Sequence, residues 1–169
     1  CAATAFAAQQ RPLAMYVMMD RSLSMSGKPA SGLTKWESIR AAVHDFAHDP
    51  QFAGVDVGLQ FFPIGGSCPV AQYAKPAVPL AALPGNAPAL DEAMASIGPS
   101  GNTPTHPALK GAIQHATAWA LDHPDHVVIV VLATDGEPTM CSPKDVPSVA
   151  KLAAAGVAGQ PQIRTFVIG

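Results

Sequence analysis

Two uninterrupted apolar runs constrain this chain more than any other feature. Leu13-Ala14-Met15-Tyr16-Val17-Met18-Met19 ends abruptly at Asp20, and Val127-Val128-Ile129-Val130-Val131-Leu132-Ala133 ends at Thr134-Asp135-Gly136. A strand with one face in water alternates. A run apolar at every position fits a strand covered on both faces, as in parallel sheets flanked by helices. Neither run approaches the roughly 20 residues needed to span a bilayer.

The segments between and around these runs supply the covering layers. Thr34-Lys35-Trp36-Glu37 has the form of a capping box, and Trp36, Ile39, Val43 and Phe46 follow at the spacing of an amphipathic helix. Residues 55–62 alternate and then turn apolar, which predicts a second strand, and residues 77–80 contain a proline that suits an edge strand. Gly65 to Pro76 reads as loop. Leu90, Met94 and Ile97 space a second helix stopped by Gly98-Pro99, and residues 108–121 form a third. Ser142-Pro143-Lys144-Asp145 reads as N-cap, Pro at N1 and an acid at N3 of a fourth helix, with Gly156 as its stop. Residues 163–168 form the last strand. This alternation predicts an α/β fold: a doubly wound, mainly parallel central sheet with helices on both faces. The 169 residues amount to one domain, with residues 1–12 a lead-in and 13–169 the folded unit.

Charge narrows the partners. Only 13% of residues are charged, against about 25% in an average soluble protein, and the formal net charge is −2. With no basic stripe, the electrostatic footprint of a nucleic-acid binder is missing. No basic segment followed by an apolar one is present to act as an intact signal peptide. The three cysteines are an odd number. Cys68 and Cys141 both lie in Pro-rich loop sequence, and they are either joined or two unrelated free thiols. Cys1 is left over, as a lipidated first residue or a partner for a segment further upstream.

Open parallel sheets bind ligands beyond the carboxyl ends of their strands. After the first apolar run this chain places Asp20-Arg21-Ser22-Leu23-Ser24; before the third helix, Gly101-Asn102-Thr103-Pro104-Thr105; after the second run, Thr134-Asp135-Gly136. Together these loops offer two carboxylates and several hydroxyls, with no sulfur or imidazole. That all-oxygen set suits Mg²⁺, Mn²⁺ or Ca²⁺ rather than Zn²⁺. In an extended loop alternate side chains point the same way, so Asp20, Ser22 and Ser24 can converge on one ion. An Asp-x-Ser-x-Ser pattern alone is weak evidence; its place behind a buried strand, together with the other two loops, gives it weight.

With these residues the chain resembles a von Willebrand factor type A domain carrying a metal-ion-dependent adhesion site. The matching positions are Asp20, Ser22 and Ser24, then Thr103, then Asp135, within a likeness running from about Leu13 to Gly169. The phrases Gly58-Leu59-Gln60-Phe61-Phe62-Pro63 and Thr103-Pro104-Thr105-His106-Pro107 resemble the versions found in secreted or surface proteins of Gram-negative bacteria. Two departures stand out: Leu23 replaces the glycine of most members, and the family pattern continues past Gly169 with a helix and an edge strand. For the chain alone, that pattern predicts an exposed sheet edge.

The resemblance implies a metal-dependent protein-binding module outside the cytoplasm. Ser22, Ser24 and Thr103 would bind Mg²⁺ (or Mn²⁺ or Ca²⁺) directly, with Asp20 and Asp135 direct or through water. One coordination position would stay open for a carboxylate of a partner protein. Neighbouring domains of a longer parent protein are expected, as is no enzymatic activity: Gly-x-Ser-x-Gly and phosphate-loop patterns are absent. The alternatives are an intracellular assembly module working with an AAA-type ATPase, and a metal-dependent hydrolase whose base would come from Asp20, Asp135 or Glu137. Outside the site, His44 and His48 (at i and i+4) form a possible metal pair, but Asp45 and Asp49 beside them suggest a solvated helix face. Trp36 reads as helix-entry packing, and His123 and His126 as turn residues.

Overall fold

In the computed structural model, which describes residues 11–29, 32–66 and 68–169, both apolar runs become central strands. β1 (Leu13–Asp20) pairs parallel with β4 (Val127–Ala133) on one side and with β2 (Asp56–Phe62) on the other. β3 (Val78–Ala82) closes one edge antiparallel to β2, and β5 (Arg164–Ile168) extends the other edge parallel to β4. The sheet order is therefore β3-β2-β1-β4-β5. The chain runs outward from β1 in one direction and from β4 in the other, so the order reverses between these two strands.

Successive side chains leave a strand on opposite faces, and each face has its own core. Tyr16 and Met18 of β1 and Val130 and Leu132 of β4 join Leu109, Ala112 and Ala116 of α4 (Thr105–Asp122), with α5 (Val146–Ala158) packed alongside. Met19 of β1 and Val57 and Leu59 of β2 face the opposite way, toward Trp36 of α1 (Lys35–His48) and toward Leu90 and Met94 of α3 (Ala87–Ser96). Helices thus cover both faces, as the apolar runs require. The capping box is complete, since Glu37 N donates to Thr34 Oγ1 at 3.1 Å and Thr34 N donates to the Glu37 carboxylate at 2.7 Å. Trp36 is buried against Phe61 at a ring-centroid distance of 6.2 Å. The α1 stripe is only half covered, with Ile39, Val43 and Phe46 partly exposed. Phe166, Val167 and Ile168 of β5 are exposed.

Three local expectations are corrected. The fourth helix does not open at Ser142. Cys141 takes a left-handed conformation (φ 63°), the Ser142–Pro143 peptide is cis, and the cap is Asp145, whose carboxylate accepts from Ser148 N at 2.7 Å. Gly156 does not stop that helix, which continues to Ala158. It is instead a point of close approach, where a Cβ would lie 2.8 Å from the carbonyl oxygen of Ile163. The segment read as loop between Gly65 and Pro76 contains a short helix, α2 (Val70–Tyr73). Its Tyr73 is fully buried against α4 at Gly111, where a Cβ would meet Tyr73 Cβ at 2.6 Å.

Cys68 and Cys141 are joined by a disulfide across 73 residues of sequence. It ties the loop after β2 to the loop after β4, the two strands that flank β1. Residues 1–10, which hold Cys1 and most of the lead-in, lie outside the described residues.

Candidate metal centre

The carboxyl ends of β1 and β4 lie side by side where the strand order reverses, the place at which open α/β sheets form their ligand crevice. β1 ends in Asp20, which is fully buried. One of its oxygens accepts from Ser22 N at 2.7 Å and the other from the Thr134 hydroxyl at 2.6 Å. The Ser22 and Ser24 hydroxyls are 2.9 Å apart, and Ser24 Oγ donates to Asp135 Oδ1 at 2.7 Å. Lys35 Nζ, at the first turn of α1, sits 2.7 Å from Asp135 Oδ2. Asp20, Ser22, Ser24 and Asp135 therefore form one hydrogen-bonded chain, joined at Asp20 through the Ser22 backbone N–H, anchored at Thr134 and ending on Lys35.

Asp20 and Ser22 are buried, Ser24 is exposed, and the Asp135 side chain is only 8% exposed, covered by Lys35. The alternation expected of Asp-x-Ser-x-Ser is modified by a short 3₁₀ turn over Leu23–Ser26, for which Ser22 is the N-cap. This turn lifts Leu23 out to 65% exposure. Leu23, at the position where the resemblance expects glycine, is therefore turned toward solvent.

Thr103 is brought to the same end of the sheet through its backbone. Gly101 O accepts from Leu23 N at 3.0 Å, and Arg21 fixes the same loop by donating to Gly98 O at 2.9 Å and Ser100 Oγ at 2.7 Å. Gly101 adopts φ +73°, a conformation that favours glycine, with Pro63 close behind it. Thr103 is buried; its N–H donates to Thr139 Oγ1 at 2.9 Å, and its carbonyl accepts from Thr139 N and Met140 N. These bonds link the Thr103 loop to the loop after β4, one residue before the disulfide. Glu137 is exposed at the rim.

Electrostatics favour a cation here. Burial pushes the Asp20 carboxyl above the usual carboxylate range, against the pull of hydrogen bonds from Ser22 and Thr134, and the neighbouring Asp135 pushes it further. Two mutually repelling carboxylates share the site with one ammonium, and the remaining donors are hydroxyl oxygens. The donor set fits a hard divalent cation. The residues that sequence reasoning missed are Thr134 and Lys35. Thr134 was visible only as part of its motif, and Lys35 only as a residue inside a capping box.

The histidines also depart from expectation. His44 and His48 do not merely face solvent beside Asp45 and Asp49. Both meet Asp91 of α3, His44 Nδ1 and His48 Nε2 each lying 2.9 Å from one of its oxygens. Asp49 instead caps the turn that follows α1, accepting from Gln51 N at 2.8 Å.

No protein-family model matches the chain, and no curated protein matches it. Solved structures do. Proximal thread matrix protein 1 from the mussel byssus is 20% identical with a TM-score of 0.63, over 94% of this chain and 38% of that one. The pilus adhesin SpaC from Lactobacillus rhamnosus GG is 17% identical with a TM-score of 0.67, over 96% of this chain and 25% of that one. Manganese-loaded TRAP protein of Plasmodium vivax is 16% identical with a TM-score of 0.58, over 94% of this chain and 57% of that one. The chain spans less than two thirds of each. These likenesses show the fold, an α/β sheet of the von Willebrand factor type A and Rossmann-like kind.

Proposed function

We propose that this chain is a metal-dependent protein-binding module of adhesive type. Asp20, Ser22, Ser24, Thr103 and Asp135 would hold Mg²⁺, or Mn²⁺ or Ca²⁺ in its place. The observation that carries the proposal is the hydrogen-bonded chain from buried Asp20 through Ser22 and Ser24 to the largely buried carboxylate of Asp135, at the point where the strand order reverses. Similarity in fold to a pilus adhesin and to a manganese-loaded protein supports the same reading.

The bound ion supplies an electrophilic position that a carboxylate of a partner protein can fill. The chain's own residues prepare for it. Thr134 and the Ser22 backbone hold Asp20 in one orientation, and Arg21 holds the Thr103 loop against the Asp20 loop. Lys35 neutralises Asp135 until a stronger cation competes. The exposed rim at Ser24 leaves the approach open. The role is recognition without bond cleavage, and none of the site's acids is assigned as a catalytic base.

The Cys68–Cys141 bridge favours a place outside the cytoplasm, where disulfides persist. It weighs against an intracellular assembly module. Among the described residues no helix is long and apolar enough to cross a membrane. Thermal melts in Mg²⁺, Mn²⁺ and EDTA test the reading. Either ion should raise Tm, and Asp135→Ala should abolish the rise. A wild-type protein whose Tm is the same in both ions as in EDTA would remove the metal site and the function built on it.

A further inference from the structure

From the cluster between α1 and α3, we propose a second cation site, formed by His44, His48 and Asp91, for a first-row transition ion such as Zn²⁺. His44 and His48 stand one helical turn apart, so both imidazoles project from the same side of α1. Their ring centroids are 4.4 Å apart, and both reach the single carboxylate of Asp91 on α3. The three ligand atoms lie within 4.8 Å of one another.

Ligands at Zn–N and Zn–O bond lengths around one tetrahedral ion sit about 3.3 Å apart. Each histidine nitrogen lies 2.9 Å from a different Asp91 oxygen, so these contacts open by a few tenths of an ångström, while a ligand pair at the 4.8 Å limit of the cluster closes by about 1.5 Å. Imidazole nitrogen is a favoured ligand for Zn²⁺, and the two histidines with one carboxylate leave further positions for water. Side-chain exposures of 57%, 46% and 33% give an ion access from solvent. The groove beside the cluster is lined by Glu37, Asp45 and Asp91 against a single cation, Arg40, so its field draws positive charge. The ligands ride on two helices that already pack together, so the ion would staple α1 to α3.

This site differs in chemistry from the oxygen site and does not depend on it. The test is calorimetric titration of Zn²⁺ into the full chain in excess Mg²⁺, repeated for Asp135→Ala, Asp91→Asn and the His44→Ala/His48→Ala double variant. The wild type and Asp135→Ala should each take up one equivalent. Asp91→Asn and the double variant should bind at least tenfold more weakly. The altered side chains are exposed or at the groove rim, and circular dichroism confirms that each variant is folded. Co²⁺ in place of Zn²⁺ should give visible d–d bands without a thiolate charge-transfer band, which separates these ligands from Cys1. Absence of Zn²⁺ binding by the wild type would overturn the proposal. So would undiminished binding by the folded double variant, or loss of binding in Asp135→Ala alone.

Discussion

Opening the Cys68–Cys141 bridge should destabilise the domain by an amount that its position in the chain allows to be worked out. The bridge joins residues 73 apart. Releasing a loop of that size returns about 15 cal/mol/K of chain entropy to the unfolded ensemble, or about 4 kcal/mol at 25 °C. The folded state has little reason to change. Cys141 sits in a loop held independently by the bonds between Thr103 and Thr139, and Cys68 lies just before α2, whose Tyr73 is buried. The loss should therefore fall on the unfolded side and appear nearly in full. For a domain of this size about 4 kcal/mol corresponds to a fall in Tm of roughly 10–15 °C. The assay is a melt followed by circular dichroism, with and without reductant, beside a Cys68→Ala/Cys141→Ala variant. Alkylation of the unreduced protein followed by intact-mass measurement should find at most one free thiol. A fall in Tm of under about 3 °C on verified reduction would refute the chain-entropy account.

Two further predictions concern the site and the sheet edge. Burial raises the folded-state pKa of Asp20, so its charge opposes the ion-free fold; this penalty is absent at low pH and grows as pH rises through the folded value. Asp20→Asn should therefore melt higher than wild type in EDTA at neutral pH yet gain nothing from Mg²⁺, and a lower melt in EDTA would contradict the sign. β5 exposes Val167 and has a strand neighbour on one side only among the described residues, so Val167→Lys should suppress concentration-dependent self-association in analytical ultracentrifugation. A wild-type chain that stays monomeric at high concentration would count against that edge as a pairing surface.

What could be read in advance follows from the range over which each interaction acts. β1 and β4 announce themselves because a strand covered on both faces must be apolar at every position, and the capping box at Thr34 is local by construction. The gathering of Asp20, Ser22, Ser24 and Asp135 could be anticipated because their two segments stand directly behind neighbouring strands, where chain order alone predicts convergence. Contacts made only by folding left no local mark. Nothing near His44 and His48 points to Asp91, more than 40 residues away on another helix. Gly156 looked like a helix stop because glycine usually is one, whereas here it makes room for the chain at Ile163. The helix-start signal at Ser142-Pro143 was displaced by three residues to Asp145, beyond the bridged Cys141.

One helix touches both candidate cation sites. α1 begins at Lys35, in contact with Asp135, and carries His44 and His48 toward its far end, within a span of about 21 Å for its 14 residues. An ion that displaced Lys35 from Asp135 would release only the Lys35 side chain, since the capping box still holds the first turn of α1, and an ion between His44, His48 and Asp91 would fix the last turns against α3. Each site binds without the other, yet any effect that one had on its neighbour would have to pass through this shared helix. Linkage makes such an effect reciprocal: whatever factor one ion applies to the affinity of the other, it receives in return. Were both proposed ions bound, α1 would touch both of them, one near each end.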